Sequence, residues 1–170
     1  MIADLLDFTR TRLGGAIPLT RVRINLQQLC DVLLLEVQAA HPDATVHFEA
    51  SGDLTGEWDA DRLSQVVSNL LGNAIQHGGG GPVTLTARGR DESVTISVHN
   101  GGSSIPPALQ GSVFEPLVRG AQSGDVSQGI GLGLFIARAI VTEHGGEICL
   151  RSAEGLGTTF EVLLPRTGGR

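Results

Sequence analysis

The chain contains no lysine and no tyrosine, and positive charge is scarce: 12 arginines stand against 18 acidic residues, for a formal charge of -6. That balance removes any general attraction to a nucleic-acid backbone or an anionic bilayer, so neither is expected as a partner. No apolar run approaches the roughly 20 residues needed to cross a bilayer. The opening Met1, Ile2, Ala3, Asp4 is not a basic segment followed by an apolar one. The chain as it stands is therefore expected to be cytoplasmic, without direct membrane contact. Cysteine is nearly absent too. Cys30 and Cys149 sit in apolar surroundings without C-x-x-C spacing, which predicts two reduced, buried thiols rather than a disulfide or a metal pair. The absence of lysine carries no mechanism.

Glycine is plentiful, with 24 residues gathered in a few stretches, where the backbone must turn sharply or approach a ligand closely. A length of 170 residues at 41% hydrophobic suits a single core and one compact domain. Ile2, Leu5, Leu6 and Leu13 repeat at helical spacing up to Gly14 and Gly15, as the last turns of a helix belonging to something upstream would. Thr20 to Asn25 alternates Arg with Val22 and Ile24, which predicts a short edge strand. Leu26, Leu29, Cys30, Leu33, Leu34 and Val37 then trace a helix closed by His41-Pro42. Strands are expected around Val46 and Phe48 and over Leu54 to Trp58.

Asp59 is placed to cap a second helix with an apolar set of Leu63, Val66, Val67, Leu70, Leu71, Ala74 and Ile75, stopped by Gly78 to Gly81. Val83 to Ala87 and Val94 to Val98 alternate as strands with one face on the core. From Gly101 to Gln128 the pattern dissolves, and so long a loop in so small a domain is usually functional. Gly129 to Val141 contain a third helix, with Leu132, Phe135, Ile136, Ala139 and Ile140 on one side. Ile148 to Arg151 and Thr158 to Leu164 are the closing strands. The order implies an α/β two-layer sandwich, a mixed sheet with three helices on one face. It lacks the strict alternation of a doubly wound parallel sheet.

At about 100° per residue, Asn69 and Asn73 fall together on one margin of the second helix, with His77 a turn further on. A carboxamide oxygen is a hard neutral ligand suited to Mg²⁺ beside nucleotide phosphates. Taken alone, such a pair is more simply a polar helix flank. The sequence G-I-G-L-G-L, Gly129 to Leu134, enters the third helix and would let backbone N–H groups reach phosphate oxygens at a helix N-terminus. A dinucleotide fingerprint would instead follow the first strand of a strand-helix-strand unit.

Together these segments resemble the catalytic and ATP-binding domain of sensor histidine kinases, whose Bergerat-type fold is shared with gyrase, mismatch-repair and heat-shock chaperone ATPases. Five motifs agree in order and spacing across about Asn25 to Pro165. Asn69-Leu70-Leu71-Gly72-Asn73-Ala74 resembles the asparagine box, which implies Mg²⁺ coordination by Asn73 and phosphate or water contacts by Asn69. Val98-His99-Asn100-Gly101-Gly102-Ser103-Ser104-Ile105-Pro106 resembles the first glycine box. Phe114-Glu115-Pro116-Leu117 is similar to the phenylalanine box, and Arg119 to a basic lid residue that approaches the γ-phosphate. Gly129, Gly131 and Gly133 form the second glycine box. Gly155-Leu156-Gly157-Thr158-Thr159-Phe160 resembles the terminal G-x-G-T-x-F element, with Thr158 at the adenine end.

The resemblance implies a catalytic set of Asn69, His77 and Arg119, with Asn73 as the metal ligand. Nucleotide contacts are implied for Asn69, Asn73, Gln76, His77, Asn100, Gly102, Ser104, Ile105, Phe114, Arg119, Gly129, Gly131, Leu132, Gly133, Leu134 and Thr158. The implied cofactors are ATP and Mg²⁺. The implied partners are a phosphoacceptor-histidine helix, of the same or another chain, and a response regulator. The sequence departs from the family at three positions. Asn100 stands where the family has Asp, Ser104 where it has a second glycine, and Gln76 where it often has Lys or Arg. An Asn carbonyl still accepts a hydrogen bond, but without the strength that charge adds. Relatives that hydrolyse ATP carry Glu at the position of Asn69; an amide cannot serve as that base.

No histidine of the chain is followed by the residues that surround the family's phosphoacceptor. His41, His47 and His144 read as surface or turn residues, and His99 as sheet packing. The expected division is 1–15 as the end of a dimerisation-domain helix and linker, 16–166 as the ATP-binding catalytic domain, and 167–170 as a tail. The chain is thus expected to be a piece of a longer kinase, or a subunit working in trans, that phosphorylates a histidine outside itself. Two rivals share the fold: a protein-serine kinase of the anti-sigma-factor type, which tends to lack a leading helix, and a degenerate nucleotide-binding or interaction module, which would not bind an ATP analogue.

Overall fold

The structure, a computed structural model, describes residues 2–117 and 131–167. In chain order the elements are α1 (Ile2–Arg12), β1 (Val22–Asn25), α2 (Leu26–Ala40), β2 (Val46–Ser51), β3 (Thr55–Trp58), α3 (Ala60–His77), β4 (Val83–Gly89), β5 (Ser93–Asn100), α4 (Pro107–Gln110), α5 (Gly133–Glu143), β6 (Glu147–Ala153) and β7 (Gly157–Pro165). The main sheet has five strands in the order β2-β4-β5-β7-β6. It is mixed, because β2 runs parallel to β4 while the other neighbours are antiparallel. Alternation decides which face is covered. Val94, Ile96 and Val98 of β5 lie in register with Leu164, Val162 and Phe160 of β7, and all six are buried. The intervening Thr95, Ser97 and His99 point the other way and are half-buried.

Helix α3 supplies the apolar surface that covers this face. Leu63, Val66, Val67, Leu70, Leu71 and Ala74 are buried at three- and four-residue spacing. Asp59 caps it by accepting a hydrogen bond from the Arg62 amide at 3.0 Å. Ile136, Ala137, Ile140 and Val141 of α5 and Leu26, Cys30 and Leu33 of α2 complete the layer.

Four features differ from the sequence expectation. The strand at Val22–Asn25 pairs with β3 in a separate two-stranded antiparallel ribbon, not in the main sheet. β3 runs straight into the Asp59 cap of α3 and so is committed to the helical side. Cys30 is buried and its burial pushes the thiol pKa up to about 12, but Cys149 is only half-buried; both are free. α5 begins at Gly133 rather than at Gly129, which lies outside the described residues. α1 forms where its spacing predicts a helix, and its aliphatic residues face outward: Ile2, Leu5 and Leu6 are 79%, 50% and 62% exposed. The face turned to the domain holds Asp7 and Phe8. Asp7 pairs with Arg62, Asp4 accepts from the Gln65 amide at 2.7 Å, and Phe8 meets the edge of Phe135 at 5.7 Å.

The fourth difference is His144, which is 1% exposed instead of lying on the surface. It ends α5, and its ring is held on both sides. Nδ1 lies 2.8 Å from the Ile140 carbonyl, while Nε2 accepts from the Asp59 backbone N–H at 3.0 Å. A carbonyl only accepts and an amide N–H only donates, so the ring is neutral with its proton on Nδ1. Burial is the main cause that lowers its pKa, reinforced by Arg21 and opposed by the Ile140 carbonyl, Asp59 and Glu143. The folded value therefore lies below the unfolded one of about 6.5, and the unfolded chain binds the proton first. Stability attributable to His144 is complete above about pH 6.5 and falls as pH drops from there toward the folded value. The urea midpoint is expected to fall between pH 7.5 and 5.5 in the native chain. In His144→Gln it is expected to be lower at pH 7.5 but flatter across that interval.

Candidate functional site

Helix α3 carries its amides toward the start of α5. Asn69 Nδ2 donates to the Gly133 carbonyl at 3.1 Å, which sets the middle of one helix against the first residue of the other. A side chain at Gly133 would come within 3.5 Å of Asn69 Cγ, so the backbone approaches this amide at van der Waals contact. Asn73 follows one turn later on the same face. It is half-buried, and its amide makes no hydrogen bond among the described residues. Gln76 and His77 are exposed on the last turn, and Gln76 is already engaged within the protein.

The first glycine box leaves β5 at this same end. A Cβ at Gly102 would overlap the His77 carbonyl and come within 2.9 Å of Gly78 Cα, which explains why only glycine fits there. Asn100 is opposite Thr158 of β7 in register. It is 3% exposed, and its Nδ2 has no hydrogen-bond partner among the described residues. Gly157, at φ +74, is pressed against the Asn100 carbonyl so closely that a Cβ would overlap it. The two glycine motifs are thus one packed unit at the ends of β5 and β7.

Two residues that the sequence reading did not pick out hold that unit together. Ser152 Oγ accepts from the Ile105 amide at 2.8 Å, lies 2.8 Å from Thr158 Oγ1, and is 3.2 Å from the Gly157 carbonyl. Gln110 Nε2 donates to the carbonyls of Ile105 and Ser152 at 2.8 and 3.0 Å. Ile105 is therefore fixed through both its N–H and its carbonyl. The signal for Ser152 was the strand itself: β6 runs to Ala153, two residues past the expected end, and its register puts Ser152 beside Thr158. Ser104 is half-buried beside Ile105.

Phe114 packs edge-on to Phe160 with centroids 6.0 Å apart, and the Arg138 guanidinium lies 5.7 Å over its ring. The Leu117 amide donates to the Gly131 carbonyl at 3.0 Å, joining the phenylalanine segment to the second glycine box. Leu117 takes φ 65 and Gly131 φ 72. Leu132 is buried, Leu134 packs half-buried on the core, and α5 starts without a side-chain cap. Among the described residues no side chain caps its first backbone N–H groups, the kind of groups that meet an anion at a helix start. Arg119 and Gly129 lie outside the described residues. A separate open groove of about 700 Å³, lined by Arg23, Gln28, Val32, Glu36 and the first turn of α3, includes none of these residues.

The family described as histidine kinase-, DNA gyrase B- and HSP90-like ATPase matches residues 58–168. The chain is 34% identical over 172 residues to the alginate biosynthesis sensor protein KinB of Pseudomonas aeruginosa, covering 97% of this chain and 28% of KinB. It thus spans under a third of that relative's length. The catalytic domain of the histidine kinase ThkA superposes with a TM-score of 0.77 at 31% identity, over 88% of this chain and 97% of that domain. ThkA in complex with the response regulator protein TrrA gives 0.77 at 27% identity, over 98% of this chain and 46% of ThkA. Full-length ShkA in complex with AMPPNP gives 0.82 at 29% identity, over 98% of this chain and 35% of ShkA.

Removing the Ser152 hydroxyl leaves the Ile105 N–H without its acceptor and Thr158 without its neighbour. Ser152→Ala is expected to lower unfolding free energy by about 1–3 kcal/mol, measured by urea denaturation, with the sheet content unchanged by circular dichroism.

Proposed function

Because the chain belongs to the histidine kinase-, DNA gyrase B- and HSP90-like ATPase family, as the ATP-binding catalytic domain of a sensor histidine kinase, we propose that it transfers the γ-phosphoryl group of ATP to a histidine carried outside this chain, in two-component signalling. The observation that carries this reading is the Asn69 amide on the Gly133 carbonyl at 3.1 Å. It sets the amide face of α3 across from the uncapped start of α5, where phosphates can meet backbone N–H groups.

In the proposed reaction an imidazole nitrogen attacks the γ-phosphorus, the bond from that phosphorus to the bridging oxygen breaks, and ADP leaves with the electron pair. Such transfer needs positioning and charge stabilisation more than covalent help. Asn69 orients phosphates or their waters while holding Gly133, and, having no basic lone pair, leaves water unactivated. His77 and Arg119 add hydrogen bonds and positive charge to the phosphates. Gly129, Gly131, Leu132, Gly133 and Leu134 offer backbone and wall contacts, with Gln76 at the margin. Gly102, Ser104, Ile105, Phe114, Asn100 and Thr158 line the base end.

Mg²⁺ fits this donor set through Asn73, whose half-buried amide is uncommitted among the described residues. Those residues hold no cluster of three His, Cys, Asp or Glu side chains. An ion here would take its other ligands from phosphates and water, as Mg²⁺ prefers. Bound there, it would supply positive charge against the phosphates.

Residues 1–15 are read as the end of a dimerisation-domain helix and its linker, supported by the outward stripe of Ile2, Leu5 and Leu6 on α1. Residues 16–166 are read as the catalytic domain and 167–170 as a tail. The phosphoacceptor helix and a response regulator are the proposed partners; ThkA has been seen with the response regulator TrrA. No helix among the described residues is long and apolar enough to cross a membrane, and the cytoplasm is the compartment that suits an ATP-dependent reaction.

Two measurements test the reading. Calorimetry with AMPPNP and Mg²⁺ is expected to show binding that Asn73→Ala weakens at least about tenfold, the loss of one oriented contact or more, with a much smaller difference in EDTA. Incubating the full-length protein with γ-labelled ATP is expected to give alkali-stable, acid-labile phosphate. Acid-stable label would favour the serine-kinase reading, and no nucleotide binding the degenerate module.

A further inference from the structure

One side chain at the base end bridges two carbonyl oxygens that would otherwise repel each other. Gln110 Nε2 donates to the Ile105 carbonyl at 2.8 Å and to the Ser152 carbonyl at 3.0 Å. The Ile105 N–H meanwhile donates to Ser152 Oγ at 2.8 Å. Three residues from three segments thus close a ring in which the N–H and the carbonyl of Ile105 are both committed. We propose that Gln110 is a positioning residue for the nucleotide base: it acts through Ile105 and sets the distance of that wall from Thr158, so that nucleotide affinity depends on the donors of its side chain. The inference rests on the nucleotide-site reading above and adds a residue that lies in none of the five motifs.

Helix α4 cannot place Ile105 by itself. It has four residues, Pro107–Gln110, and no side-chain cap, and a helix so short does not hold its own shape. Gln110 is its last residue, and the side chain turns back to the residue before Pro106. Ser152 is anchored independently, by the register that sets β6 beside β7 with Ser152 opposite Thr158. Gln110 therefore ties a loop to a sheet. On the far side of the ring, Ser152 Oγ lies 2.8 Å from Thr158 Oγ1, and Gly157 is pressed against the Asn100 carbonyl. Ile105 is fixed in this way relative to the two residues read as lining the base end. Phe114 follows Gln110 by four residues and rests on Phe160, so the same side chain also sets where the phenylalanine segment begins.

An amide nitrogen carries two hydrogens, one for each carbonyl. Methionine has similar length and no donor, and in its place two carbonyls of half-buried residues would face each other unpaired. A carboxylate only accepts, and would add further lone pairs to the same point. An ammonium donates three hydrogens and can serve both carbonyls. Nucleotide affinity is thus expected to follow the number of donors at this position rather than side-chain volume.

The test is calorimetric titration with AMPPNP and Mg²⁺ of the native chain, Gln110→Met, Gln110→Glu and Gln110→Lys, with a urea transition recorded for each. Gln110→Met is expected to weaken binding by about fivefold or more, one to two hydrogen bonds' worth. Gln110→Glu is expected to weaken it at least as much, and Gln110→Lys by less than about twofold. A role confined to stability would lower the urea midpoints and leave the dissociation constants alike, which overturns the proposal. An equal loss in Gln110→Lys and Gln110→Met overturns it too, because shape rather than donors would then matter. The native chain offers a check that no folding failure can remove. If the ring favours binding, binding favours the ring by the same factor. AMPPNP is therefore expected to slow exchange of the Ile105 amide hydrogen, followed by NMR, more than exchange in β2 at the opposite edge of the sheet. Equal slowing at both places overturns the proposal. Absence of AMPPNP binding to a native chain with an intact urea transition overturns the nucleotide-site reading itself, and this proposal with it.

Discussion

Helices α3 and α5 lie side by side with opposite directions, and apolar packing alone would let them slide. Two directional ties prevent it. Near one end the Asn69 amide holds the Gly133 carbonyl; at the other the Asp59 backbone N–H meets the buried His144 ring. Ten residues of α3 separate the two, about 15 Å at the rise of an α-helix. Leu70, Leu71, Ile136 and Ile140 then pack between fixed points. The position of the glycine turn relative to the asparagine face follows from this pinned pair, and so does the shape of the mouth where phosphates are proposed to sit.

The same pair receives the leading helix. Arg62, three residues past the Asp59 cap, engages the buried Asp7 of α1, Gln65 engages Asp4, and Phe135 of α5 meets Phe8. Breaking the buried ion pair would strand a carboxylate of which the side chain is 5% exposed, a costly arrangement in a low-dielectric setting. α1 is thus seated by two polar contacts and one aromatic contact on the two helices that form the mouth, while its aliphatic stripe stays outward.

Periodicity made the large elements legible, because the stripe from Leu63 to Ala74 and the alternation in β4 and β5 are properties of single segments. Asp59 as cap and the shared face of Asn69 and Asn73 follow from helical geometry in the same way. What stayed hidden depends on meetings between distant segments. His144 looked like a turn residue, since nothing near it in sequence shows that Asp59 closes over its ring. Ser152 lies past the last clearly alternating residue of its strand, and only the β6–β7 register gives it Thr158 and Ile105. In α1 the helical spacing was legible, but the side that meets the domain is decided by an ion pair and one phenylalanine that local pattern does not show. Burial of Asn100 continues the alternation of Val94, Ile96 and Val98 along β5, whereas its close contact with Gly157 depends on the β5–β7 pairing.

Arg166 shows how much of the periphery hangs on one guanidinium. Its side chain donates to the carbonyls of Asp53, Thr55, Arg90 and Asp91, and its backbone joins Glu57 and Glu92. The β1–β3 ribbon, the β4–β5 turn and the end of β7 are thereby sewn together at a single stitch. Losing that one side chain would therefore loosen three peripheral segments at once.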